Sequence, residues 1–133
     1  MYWIVGLEGQ VKGVQANDMG VIFDVVDISD GDLRVSYEEG LIDMAFDPGW
    51  SGNSFFYLSH TVDLGATGSS GETLGNNRIS RFTYSAGDTV ATRISELILL
   101  TTTPKSSFIH SAGWVGFKPS DYGQGVRAVA RKP

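Results

Sequence analysis

The chain contains two histidines, and one of them, His110, falls in register with a pair of carboxylates, Glu38 and Glu39. The register comes from a short signature that occurs twice, as Ala45-Phe46-Asp47-Pro48 and Gly116-Phe117-Lys118-Pro119, 71 positions apart. Each copy closes an apolar run opened by a glycine, Gly40 or Gly113. Superposing the copies puts His110 and Glu38-Glu39 immediately before the repeated run. An imidazole titrates near neutrality and suits proton transfer. A carboxylate accepts hydroxyl hydrogen bonds or holds an imidazolium. The plainer alternatives are a turn histidine capping nearby backbone and two solvated loop carboxylates. Adjacent side chains at the start of a strand point apart, so only one of the two glutamates can face a ligand there.

Other chemistry-bearing residues organise less well. His60 ends a run whose Phe55, Phe56 and Tyr57 read as core, and no second ligand stands at useful spacing from it. Asp27, Asp30 and Asp32 invite a calcium reading, but an EF-hand loop with Gly31 at its sixth position would begin at Val26 and end at Tyr37. An Asp-Gly turn remains. Trp3, Trp50 and Trp114 could stack on sugars, yet each borders a strand or turn where packing is the commoner task. Ser111 lacks a nucleophile-elbow context, and no Gly-Lys-Ser/Thr follows the Gly/Ser cluster at 65–71, so a P-loop is excluded.

The elements that must position these residues are short strands. The chain has 133 residues, 41% of them hydrophobic, with 17 glycines, three Trp, five Tyr and seven Phe. That composition suits one all-β domain with a modest core. A net charge of -5 repels a phosphate backbone, so nucleic acid is not an expected partner. No apolar run approaches the ~20 residues of a membrane-spanning helix, and no membrane is expected as a partner. Zero cysteines exclude disulfides and thiolate chemistry. Neither a signal-peptide pattern nor an N-glycosylation acceptor occurs, and Met1 leads directly into strand-like sequence, which suggests a trimmed N-terminus.

Alternation and turn residues predict strands at 2–6, 10–15, 21–28, 41–47, 54–61, 77–85, 93–100 and 113–118, with no helix. The run 93–100 carries enough leucine for a helical turn, but its β-branched residues favour a strand. A long surface loop is expected over 62–76. Strands 41–47 through 93–100 make one four-stranded antiparallel unit, the first three strands read as the last three of a preceding unit, and 113–118 opens another. Radially repeated four-stranded sheets are propeller blades. The expected fold is therefore a partial β-propeller of two to three blades, a single incomplete domain with 1–30 ending one blade, 40–101 forming the next and 112–133 beginning a third. In a propeller the connection between blades ends beside the central channel, which is where His110, Glu38 and Glu39 fall. Exposed blade edges are expected to drive self-association.

Three stretches carry a family resemblance. Glu38-Glu39-Gly40-Leu41-Ile42-Asp43-Met44-Ala45-Phe46-Asp47-Pro48 resembles the Gly-Leu-Leu-Gly-Leu-Ala-Phe-His-Pro strand of the glucose/sorbosone dehydrogenase family. Phe55-Phe56-Tyr57-Leu58-Ser59 with Asn77-Arg78-Ile79-Ser80-Arg81-Phe82-Thr83 resembles its next two strands, and Ile109-His110-Ser111-Ala112-Gly113 the segment holding its catalytic histidine. Asp43, Asp47 and Ser120 depart from the family pattern. The resemblance implies a six-bladed propeller, an oxidoreductase acting on the CH-OH group of a sugar, His110 as catalytic base and Glu38, with Glu39, at the substrate. It also implies pyrroloquinoline quinone (PQQ) and calcium as cofactors of a longer parent, bound by positions this chain lacks, and a secreted or periplasmic location. On this reading the chain alone is inactive. The same resemblance extends to non-catalytic extracellular binding propellers of the hedgehog-interacting type.

Overall fold

The computed structural model describes residues 2–15, 20, 22–105 and 113–118. The chain is mostly β, in two antiparallel sheets, neither closed on itself. The first sheet takes β1 (Tyr2–Val5), β2 (Gln10–Val14) and β3 (Ile22–Asp27) in order β1-β2-β3. The second takes β4 (Leu41–Phe46), β5 (Phe55–Thr67), β6 (Thr73–Thr83) and β7 (Leu97–Thr101) in order β4-β5-β6-β7. The all-β reading therefore holds, with seven strands among the described residues. No helix there is long and apolar enough to cross a membrane.

Alternation along β5 and β6 decides what each face of the second sheet buries. Phe56, Leu58 and Phe82 point to one face and meet Val11, Val25, Val26 and Ile28 of the first sheet's region, with Leu41 of β4 completing this core. Burying each such side chain contributes about 1.5–3 kcal/mol. Trp3 of β1 seals the junction, its ring 4.9 Å from Phe46, 5.2 Å from Phe56 and 5.2 Å from Trp50, all edge-on. Tyr57 and Ile79 point to the opposite face, where Val115 and Phe117 cover them, Phe117 lying 5.1 Å from Tyr57. The two phenylalanines of the repeated signature thus make equivalent contacts, Phe46 with an aromatic of β1 and Phe117 with one of β5.

Three expectations need correction. The long loop over 62–76 is absent, because β5 and β6 continue through it as a hairpin, from Asp63 opposite Gly75 to Thr67 opposite Thr73. Its glycines serve a register shift between Asp63 and Ala66, with Gly65 at φ 77°, and a tight turn in which Gly71 N–H donates to Gly68 C=O at 3.1 Å. The strand over 93–100 begins only at Leu97. Before it, α2 (Thr89–Ile94) forms despite four β-branched residues in six, because Asp88 caps it by accepting from Ala91 N–H at 2.8 Å and Thr92 hydrogen-bonds back to Ser85. Finally, 113–118 belongs to no strand of either sheet, and a one-turn helix, α1 (Trp50–Asn53), follows the first signature.

That signature is held by Asp47. Its buried carboxylate accepts from Gly49 N–H at 2.7 Å, Asn53 Nδ2 at 2.9 Å and the Tyr57 hydroxyl at 2.8 Å. Burial pushes the Asp47 pKa up, but the donors from Asn53, Gly49 and Tyr57 outweigh it and the net shift is downward. Burial also raises the Tyr57 pKa, with Asp47 adding to the rise. Asp43, the other acidic departure in this stretch, accepts from Val115 N–H at 2.8 Å and so fastens 113–118 to β4.

Candidate functional site

The carboxylates singled out by the repeat lie where the chain enters β4. Residues 32–34 first run along β5, with Leu33 opposite Val62 and Arg34 N–H donating to Thr61 C=O at 2.8 Å. A four-residue turn, 36–39, then reverses the chain, Glu39 N–H donating to Ser36 C=O at 2.8 Å, with Tyr37 in the left-handed region at φ 51°. Gly40 follows at φ 150°, and a Cβ there would stand 2.5 Å from Leu7 C=O. Only glycine lets the β1–β2 turn approach closely enough for Leu41 N–H to reach Leu7 C=O at 2.9 Å.

The turn sends the two glutamates in opposite directions. Glu38 is exposed. Glu39 is fully buried, packed over Thr61 and Gly75, where a Cβ on Gly75 would lie 2.7 Å from Glu39 Oε1. Arg34 Nε donates to Glu39 Oε2, and Lys105 Nζ pairs with Glu39 Oε1 at 2.7 Å. Arg34 also stands 3.7 Å from Asp63. Lys105 is delivered by the chain after β7, which follows β6 through Thr102 N–H to Asn77 C=O at 2.9 Å and Lys105 N–H to Gly75 C=O at 3.0 Å. A buried carboxylate costs several kcal/mol to desolvate, and two cations offset that cost here.

His110 lies outside the described residues. Before it, Lys105 pairs with Glu39; after it, Val115 is held by Asp43, two residues into β4, and packs with Tyr57 and Ile79.

A second polar group occupies the other face of the sheet. His60, opposite Arg78 in the β5–β6 pairing, is 3% exposed. Its pKa is lowered to about 4, chiefly by desolvation and also by Arg78, against the opposing pull of Glu96, Asp32 and a backbone hydrogen bond at Leu58. Arg78 Nη1 pairs with Asp32 at 2.7 Å. Glu96 accepts from Ser80 Oγ and from Arg93 Nη1, both at 2.7 Å. His60 is therefore a neutral, enclosed imidazole at physiological pH. The three aspartates of the 27–32 stretch are separately engaged, Asp32 with Arg78, Asp30 with Arg93 at 3.5 Å and Asp27 with Ser29 N–H at 2.8 Å.

Sequence reasoning missed Arg34 and Lys105, the cations that hold Glu39. Lys105 lies 66 positions from Glu39 and meets it only through the β6 to β7 return, so no local spacing signals the pair. Trp3 and Trp50 are packed in the aromatic cluster, whereas Trp114 is half exposed.

Compared with known proteins, the chain matches no family model and no curated protein.

Proposed function

We propose that this chain is part of a propeller resembling the glucose/sorbosone dehydrogenases, an oxidoreductase acting on a sugar CH-OH group, and that the two sheets are a partial and a whole blade. The equivalent packing of Phe46 on Trp3 and of Phe117 on Tyr57 supports a repeated unit stacked face to face. One observation supports the functional reading: Lys105, five residues before His110, pairs with Glu39, and Val115, five residues after it, is held by Asp43 of the strand that Glu38 and Glu39 precede. In this account His110 takes the hydroxyl proton of a bound sugar, exposed Glu38 accepts sugar hydroxyls, and Glu39 fixes the turn through Arg34 and Lys105.

PQQ and calcium belong, on this reading, to the longer parent. Among the described residues no three His, Asp or Glu side chains converge as a metal donor set, and both Glu39 oxygens face cations. Reduction of an acceptor dye by aldoses, with PQQ and calcium added, tests the reading in the complete gene product. Sugar-dependent turnover abolished by His110→Ala supports it. A protein that binds no sugar and turns none over would instead favour the non-catalytic propeller.

A further inference from the structure

The outer edge of the second sheet is unusually apolar. Leu97, Ile98, Leu99 and Leu100 of β7 are all exposed, between 46% and 50%, and Ile94, three residues upstream, is 78% exposed. β7 bonds to β6 on one side and to no strand of the described residues on the other. Edge strands are ordinarily blunted by lysine, proline or an inward charge. The stretch 97–103, Leu-Ile-Leu-Leu-Thr-Thr-Thr, has none of these before Pro104 and Lys105, its one irregularity being the register shift at Leu99, and Glu96 just before it is turned away onto Ser80 and Arg93.

We propose that β7 pairs antiparallel with β7 of a second copy of this chain, joining two four-stranded sheets into one of eight. The chain carries a net charge of -5, so copies repel over most of their surface, and an uncharged edge is where they can meet. Centred on Leu99, antiparallel pairing is self-complementary: Leu99 faces its own counterpart, Ile98 faces Leu100 and Leu97 faces Thr101. β7 spans only Leu97–Thr101, which confines the pairing to these five residues, and its register on β6 skips at Leu99, from Ile98 opposite Ser80 to Leu100 opposite Ile79. At roughly 170 Å² per fully exposed leucine or isoleucine, Leu97, Ile98, Leu99 and Leu100 bring at most about 650 Å² to the interface from two copies, at the small end for a specific contact. The dimer is accordingly weak.

Sedimentation of the full chain from about 1 to 200 µM reads the association directly. The wild type passes from monomer to dimer over this range, and Leu99→Lys stays monomeric with an unchanged melting curve. The chain has no cysteine, so Leu99→Cys is a clean second probe. Directly opposed strand residues have Cα atoms about 4.5–5.5 Å apart, within disulfide range. Under mild oxidation Leu99→Cys forms a covalent dimer much faster than Ala86→Cys, an exposed control away from β7. A wild type that stays monomeric, a well-folded Leu99→Lys that associates like the wild type, or equal cross-linking at 86 and 99 overturns the proposal. Should Leu99→Lys fail to fold, the cysteine pair decides. None of these outcomes depends on the sugar dehydrogenase reading.

Discussion

Acid should loosen this fold through one residue. His60 has an ordinary pKa of 6.5 in the unfolded chain and about 4 in the folded sheet. Between these values unfolding takes up a proton, so stability falls as the pH drops from about 7 and levels off below about 4. A difference of 6.5 − 4 = 2.5 pKa units, at about 1.4 kcal/mol each, sets the full loss from this group near 3 kcal/mol. The imidazole is nearly inaccessible, so solvent screening does not reduce the figure. The charged groups facing it are Glu96, Arg78 and Asp32. Urea unfolding of the wild type and of His60→Leu, at pH 7.5, 6.0, 5.0 and 4.0, isolates the effect, because other acid-sensitive groups cancel in the difference. The wild type should lose about 3 kcal/mol more than His60→Leu between the extremes. Parallel curves within about 0.5 kcal/mol, or an NMR titration showing His60 protonating near 6.5 in the folded protein, would refute the argument.

Further perturbations test the remaining packing claims. Glu39→Gln leaves Arg34 and Lys105 facing an uncharged amide in a buried site, and should destabilise by about 3–5 kcal/mol in urea unfolding, with a smaller loss when Lys105→Met is added. Gly40→Ala places a methyl against Leu7 C=O in a left-handed backbone and should cost more than about 2 kcal/mol by the same assay. Asp47→Ala strips the acceptor from Gly49, Asn53 and Tyr57, with an expected loss of about 2–3 kcal/mol and a Tyr57 absorbance titration shifted toward the ordinary tyrosine range.

Much of the fold was legible because alternation and turn residues act locally. Phe55 to Val62 could bury aromatics on both faces only as a central strand, and β5 is one. The hairpin beyond it was not legible: glycines at 65, 68 and 71 signal a break equally well whether they end a strand or serve a bulge and a tight turn. α2 escaped notice because its β-branched residues argue against a helix, and the deciding terms were the Asp88 cap and the Thr92 contact with Ser85. At the site, the divergence of Glu38 and Glu39 matches the expected alternation but is produced by the 36–39 turn that precedes β4. Which one turns inward was fixed by a long-range cation, Lys105, and by the space above Gly75, neither of which has a sequence signature near the glutamates. His60 ends a run that reads as core, and it sits in the core; its depressed pKa comes first from that burial, with Arg78 across the sheet adding to it.

The central claim is that His110 and the start of β4 belong to one sugar-oxidising centre. It is tested most directly by steady-state dye reduction with aldoses in the complete gene product, supplied with PQQ and calcium, for the wild type and His110→Ala. The account predicts sugar-dependent turnover that falls by about 10²–10⁴-fold in kcat in the variant, with both proteins melting at the same temperature. Turnover unchanged by His110→Ala, or no turnover with any aldose in a correctly folded wild type, would contradict it.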